Sequence, residues 1–389
     1  MLKVVEKIGE FFSQFKLDIR LIREIDKKLL ISILLLVSFG MLNIYLCTKG
    51  RVDGISNFFF ISKQLRWFLL SLIVMYLLLV IDYRAIYRFV PILYWITVGL
   101  LVLVLIIGKE INGAKGWLSL GFMELQPAEL AKFTIILMEA KILNECDFEI
   151  NNIKNFAKIA IYALIPMALI AAQPDMGMTL VCFFIMLGIV FIAGIDKKII
   201  IGGILFCFVA VIALWPTGVI KDHQKQRILT FLNPDTEDSA DSYQLNQSII
   251  GIGAGGLIGE RPSFSSEVSP GYTGTHVPEI QTDFIFSAIG EQWGFVGAIF
   301  LLILYFILIS RIVSIAKNTE DNFAKVICIG MVSYFIFAIT QNICMTIGLL
   351  PITGITLPLI SYGGSSLLTI MMSLALIINI GMRKRKIHF

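Results

Sequence analysis

Residues 88–107, RFVPILYWITVGLLVLVLII, carry no charge after Arg88. Twenty mostly apolar residues make a helix about 30 Å long, the thickness of a bilayer's hydrocarbon core. Blocks of the same kind recur along the chain. They predict spans over roughly 29–47, 64–82, 88–107, 127–143, 155–173, 176–195, 198–215, 284–315, 323–349 and 361–382. The expected fold is therefore an all-α polytopic membrane protein of about ten transmembrane helices. Composition agrees, since 57% of the 389 residues are hydrophobic and 15% are charged. Soluble domains carry about 25% charged residues.

Lys and Arg set the orientation. They favour the side holding both termini by about two to one, so both termini are expected in the cytoplasm and the number of spans is expected to be even. Residues 1–28 form a basic cytoplasmic segment in which Val4, Val5, Ile8, Phe11, Phe12 and Phe15 recur at helical spacing. That pattern fits an amphipathic helix on the membrane surface, or a plain basic leader to the first span. Residues 29–382 form the transmembrane domain, and 383–389 a basic cytoplasmic tail. Between the seventh and eighth spans lies a long extracellular loop, 216–283, more acidic than basic. Loops that long are usually functional. The six cysteines have no metal-ligand spacing and the three histidines are far apart, so no His/Cys metal site is expected. Nothing points to a nucleic-acid partner.

Ionisable residues at membrane depth are functional candidates. Glu129, Lys132, Glu139 and Lys141 interrupt the fourth span, which should therefore face protein or water. Pro127 and Glu129 suit a first helical turn, whereas Lys132 lies one turn deeper and shares Glu129's face. Lys132 is expected to pair with Glu129 or with an anionic ligand, and Lys115 precedes this span in Asn112-Gly113-Ala114-Lys115-Gly116-Trp117. Gln173-Pro174-Asp175 reads as a turn with Asp175 capping the next helix. Asp283 stands at the outer mouth of the eighth span, close to Glu279. It is either a helix cap or a carboxylate held at the lipid–water boundary, where partial desolvation makes a better base. Residues 348–366 are rich in Gly, Pro and hydroxyl groups, among them Ser361 and Ser365. They predict a broken segment lining a cavity between spans nine and ten. Gly251-Ile252-Gly253-Ala254-Gly255-Gly256 fits a dinucleotide pattern but lacks the βαβ context that pattern needs.

These pieces resemble the shape, elongation, division and sporulation family, which includes RodA, FtsW and SpoVE. The likeness runs from about 30 to 380. It is carried by Gly348-Leu349-Leu350-Pro351-Ile352-Thr353-Gly354, by Ile360-Ser361-Tyr362-Gly363-Gly364-Ser365-Ser366 and by Pro278-Glu279 with Thr282-Asp283-Phe284. Gln173-Pro174-Asp175 and Gln126-Pro127-Ala128-Glu129-Leu130-Ala131-Lys132 complete it. Arg227 to Pro234 also fits. Met178, Cys344 and Thr356 depart from residues common in the family, and Arg261–Thr275 fits neither the elongation nor the division subgroup.

The resemblance implies a peptidoglycan glycosyltransferase of the cytoplasmic membrane. It would polymerise lipid II into glycan strands beside a class B penicillin-binding protein transpeptidase. It implies Asp283 as the essential acid, with Glu129 and Lys132 as the family's fourth-span pair. Asp283 would accept the proton of the acceptor hydroxyl, and Lys132, Arg227 or a divalent cation (Mg or Mn) would offset charge on the pyrophosphate. Lys115, Glu279, Ser361 and Ser365 would help to bind substrate, and membrane lipids would surround the spans. A lipid II flippase or secondary transporter, and a non-catalytic scaffold, are the rival readings.

Overall fold

A computed structural model describes residues 19–49, 58–111, 114–119, 121, 124–199, 201–203, 205, 209, 222–232, 240–260 and 271–383. A short helix, α1 (Ile19–Arg23), leads into α2 (Lys27–Thr48), α3 (Phe59–Val80) and α4 (Tyr83–Ile107). A small antiparallel sheet, β1 (Lys109–Ile111), β2 (Ala114–Ser119) and β3 (Glu124–Leu125), joins α4 to α5 (Pro127–Glu145). Then come α6 (Ile153–Ala172), α7 (Met176–Ile192), α8 (Asp222–Leu232), α9 (Ala240–Gly255) and α10 (Gly271–His276). The chain closes with α11 (Ile285–Lys317), α12 (Asn322–Thr346) and α13 (Gly364–Met382).

Among the described residues, seven helices are long and apolar enough to cross a membrane: α2, α3, α4, α6, α11, α12 and α13. Two further predicted spans exist as helices of another character. The apolar α7 is 17 residues long, and α5 carries five ionisable residues. The predicted span 198–215 lies largely outside the described residues, as do 1–18 of the N-terminal segment and 384–389 of the tail.

The ionisable content of α5 explains its position. Helices α4, α6, α7, α12 and α13 enclose it, and nearly its whole length is buried. By contrast α3 and α4 leave Leu69, Ile73, Ile92, Ile96, Leu103 and Ile106 exposed, as a lipid-facing surface requires. Sequence-local signals set the helix starts. Asp26, Asp82, Asn152, Asp175 and Asp321 each accept an N–H of the first turn they cap. Asp26 also pairs with Arg311 of α11 at 2.5 Å, tying the start of α2 to the far half of α11.

The backbone between α12 and α13 is non-helical yet largely buried, with Ile352, Ile355, Leu357, Leu359 and Ile360 inside. Side chains satisfy its polar groups, the condition for irregular backbone at this depth. Gln341 Nε2 donates to the Pro351 carbonyl (3.0 Å) and Tyr305 Oη to the Pro358 carbonyl (2.6 Å). Gln64 Nε2 donates to Ser361 O (3.3 Å), and Gln64 Oε1 accepts from Gly363 N (3.2 Å).

Candidate active site

Asp283 lies in the turn before α11, and the irregular 351–363 segment forms its floor. Ser361 Oγ donates to the Thr282 carbonyl at 2.6 Å and accepts from Leu357 N at 2.8 Å. Tyr362 N donates to Gln281 O at 2.8 Å. Asn342 Nδ2 donates both to Asp283 O (2.8 Å) and to Ile355 O (2.7 Å). The turn is thus held on three sides, while no hydrogen bond to the Asp283 carboxylate occurs among the described residues. Its near wall is Gly354, at φ +73°, where a β-carbon would sit 3.4 Å from Asp283 Oδ2. Only glycine adopts that φ at no steric cost and leaves that space open.

Half-buried, Asp283 is pushed up to about 7 by desolvation, then by the like charge of Glu279, against the opposing pull of Arg227. Asp175 is raised to about 6, chiefly by burial, although Met178 N donates to it at 3.0 Å. Arg227 acts on both carboxyls, which puts its guanidinium within electrostatic reach of each. Glu129 and Lys132 act on Asp175 as well. Close backbone contact joins the two carboxyl-bearing turns: a β-carbon on Gly177 would lie 2.4 Å from the Thr353 carbonyl, next to Gly354.

Lys132 and Glu129 are both buried on α5, with Nζ 2.6 Å from Oε2. Lys132 also sits over the Tyr334 ring, 4.4 Å from its centroid. Arg227 Nε is 3.9 Å from Asp241 Oδ2, a loose pair that leaves most of its donors available. Glu279 is exposed at the mouth, where Gln281 and Thr282 donate to its Oε2.

Three residues expected to bind substrate are engaged in holding backbone. Lys115 Nζ donates to the Leu105 (3.1 Å) and Ile106 (3.0 Å) carbonyls, capping the end of α4. Ser365 Oγ accepts from Gln126 N (3.1 Å) and donates to Glu124 O (3.0 Å). Ser361 supports the Asp283 turn, as described. These contacts have one physical cause: small hydroxyls and a lysine beside irregular backbone are recruited by its unpaired carbonyls and N–H groups. Asp175 is the cap that its Pro-Asp context predicts, and it also accepts from Gln126 Nε2 (3.2 Å).

Two buried polar residues went unremarked in the sequence. Asn342 is one. The other is Glu291 on α11, whose Oε1 accepts from Tyr272 N (2.5 Å) and whose Oε2 accepts from Thr273 N (2.8 Å) and Thr273 Oγ1. Glu291 thereby anchors α10, the last part of the long loop, to a span. The rule that singled out Lys132, a polar group inside an apolar helix, would have found both. Among the described residues no three His, Cys, Asp or Glu side chains converge to hold a metal.

A bundle of membrane-crossing helices with a poorly solvated carboxylate at one end defines a multi-pass membrane protein. The family model FTSW_RODA_SPOVE, described as cell cycle protein, matches residues 27–386. The chain belongs to that family. It is 33% identical over 357 residues to the probable peptidoglycan glycosyltransferase FtsW of Wigglesworthia glossinidia brevipalpis, covering 88% of this chain and 91% of the relative. It is 31% identical over 356 residues to the peptidoglycan glycosyltransferase MrdB of Escherichia coli K12, covering 92% and 93%. A solved chain from work on structural coordination of polymerization and crosslinking by a peptidoglycan synthase complex superposes with a TM-score of 0.79. That match has 29% identity and covers 93% of this chain and 99% of the other.

Proposed function

We propose that Asp283 is the general base of this peptidoglycan glycosyltransferase. The reaction joins a sugar hydroxyl of one substrate to the anomeric carbon of another and releases a lipid pyrophosphate. Asp283 accepts the hydroxyl proton as the glycosidic bond forms. Its elevated proton affinity suits that task near neutral pH, because a base poised near the operating pH combines availability with driving force. Arg227 lies within electrostatic reach and stabilises charge developing on the pyrophosphate. Lys132 adds positive charge from below, and Glu129 fixes its position. Lipid II is the substrate in this reading, and inversion at the donor carbon needs no covalent enzyme intermediate.

The accompanying topology is ten spans in the cytoplasmic membrane with both termini inside. Residues 1–28 and 383–389 are then cytoplasmic, and Asp283 and the 216–283 loop lie outside. The partner is a class B penicillin-binding protein that cross-links the product. The observation that carries the reading is the Asp283 carboxylate, half-buried, free of hydrogen bonds among the described residues and facing the Gly354 wall. The test is polymerisation of purified lipid II by the wild type and by Asp283→Asn. Loss of polymer in a folded variant supports the assignment, whereas near-normal polymer removes Asp283 from the role. Lipid II translocation without polymer in the wild type would favour a flippase.

A further inference from the structure

A second polar site lies at the other end of the bundle. Asp283 precedes the first residue of α11, whereas this site borders the residues after its last, with the whole of α11, kinked at Gly294, between them. It is an open cleft with a cavity of about 50 Å³, lined by Tyr83, Arg84, Glu320, Asp321 and Arg383, with Asn318 and Thr319 completing its wall. Its frame is rigid. Asn379, fully buried, donates to the Leu78 and Ile81 carbonyls at 2.5 Å each. Arg383 donates to the Leu79 and Val80 carbonyls and lies 3.5 Å from Asp82 Oδ2. The Tyr83 hydroxyl bonds to Asp321, which also caps α12.

Two charges in this frame have no ion-pair partner among the described residues. Arg84 and Glu320 are exposed, line the same cleft and carry opposite signs, yet they do not meet each other. The cleft therefore presents, among the described residues, one unpaired cation, Arg84, and one unpaired anion, Glu320. A ligand carrying a phosphate and a primary ammonium a few bonds apart satisfies both. The neighbouring surface specifies what carries that ligand. Leu69, Ile73 and Leu77 of α3 and Ile81 just after it are all exposed at four-residue spacing, so they form one stripe. The stripe ends at Ile81, immediately before Asp82, Tyr83 and Arg84.

We propose that this cleft binds the phosphoethanolamine headgroup of a membrane phospholipid whose acyl chains lie along the α3 stripe. The phosphate meets Arg84, and the ammonium donates to Glu320. A choline headgroup, having no N–H, cannot make the second set of contacts, and a glycerol headgroup offers no cation. In the orientation proposed above, the lipid belongs to the cytoplasmic leaflet. The site itself is independent of the glycosyl-transfer reading.

The test uses the purified full-length protein in detergent with an equimolar excess of dioleoyl phosphatidylethanolamine, phosphatidylcholine and phosphatidylglycerol. Retained lipids are read by native mass spectrometry. The ethanolamine lipid is expected to be retained about 5- to 10-fold over the other two, the worth of one charge-assisted hydrogen bond. Arg84→Gln and Glu320→Gln should each abolish that preference at an unchanged melting temperature and an unchanged lipid II polymerisation rate. Equal retention of the three lipids, a phosphatidylglycerol preference, or a preference surviving in the Arg84→Gln/Glu320→Gln double variant overturns the proposal. So does competition by free phosphoethanolamine at the lipid's own concentration, which identifies a soluble ligand instead.

Discussion

Asn342 on α12 holds the main chain of Asp283: its Nδ2 donates to the Asp283 carbonyl at 2.8 Å and, with the same nitrogen, to the Ile355 carbonyl at 2.7 Å. The Asp283 turn is thereby fastened to the segment that forms its floor. Asn342→Ala leaves two carbonyls short of a donor at a cost of about 1–3 kcal/mol. A shift of about 1 Å in a reacting group costs on the order of 100-fold in rate. The expected result is a kcat for lipid II polymerisation lowered by about 10- to 100-fold, with KM little changed. Asn342→Asp should be worse, because it turns an acceptor toward two acceptors. Steady-state kinetics beside a melting curve check both.

The raised proton affinity of Asp283 fixes a pH dependence. A base must be deprotonated, so kcat/KM should rise through an apparent pKa near 7 and level off by about pH 8. Stability runs the other way. The folded protein holds this proton up to about pH 7, whereas the unfolded chain releases it near the ordinary aspartate value of 3.8. The stabilising contribution is complete below pH 4 and is lost as pH climbs to 7. Asp283→Asn should therefore melt higher than the wild type at pH 8, with the difference vanishing near pH 4. A flat rate profile between pH 6 and 8 would contradict the first half.

Lys132 and Glu129 form a buried pair 2.6 Å apart. Removing one partner strands the other, at a cost of about 3–5 kcal/mol. Lys132→Met alone should lower the melting temperature sharply, and Glu129→Gln with Lys132→Met should recover much of it. If Lys132 supplies charge to the reaction, the double variant stays inactive despite its recovered fold. Full activity in the double variant would confine the pair to a structural role.

Glu291 is the tether of the long loop's final helix. Glu291→Gln replaces one acceptor oxygen by a donor facing N–H groups. Proteolysis between residues 260 and 285 should become faster in this variant, and polymerisation should fall with it, because the turn carrying Asp283 follows α10 within seven residues. Limited digestion in detergent measures the first effect directly.

Periodicity and length made most of the membrane helices legible in the sequence, since an apolar block of twenty residues has few alternatives to a span. The polar α5 was legible as a helix needing protein around it, because its charges forbid lipid. The small sheet at 109–125 was not, since strands of two to six residues leave too short a pattern to read. At the site, Asp283, Glu129 and Lys132 stand out because a charge near an apolar run is conspicuous. The backbone contacts of Ser361, Ser365 and Lys115 were not legible, because their partners are carbonyls and N–H groups, which every residue carries and no sequence pattern marks.

The floor beneath Asp283 comes from the chain's last fifth. A ribosome that has delivered the bundle through α11 has already made Glu129, Lys132, Arg227 and Asp283, yet the Thr282 and Asp283 carbonyls still await Ser361 and Asn342. Chains interrupted before residue 342 are thus complete in reactive groups and incapable of aiming them. On the assignment of Asp283 as base, activity therefore waits on the last fifth of the chain.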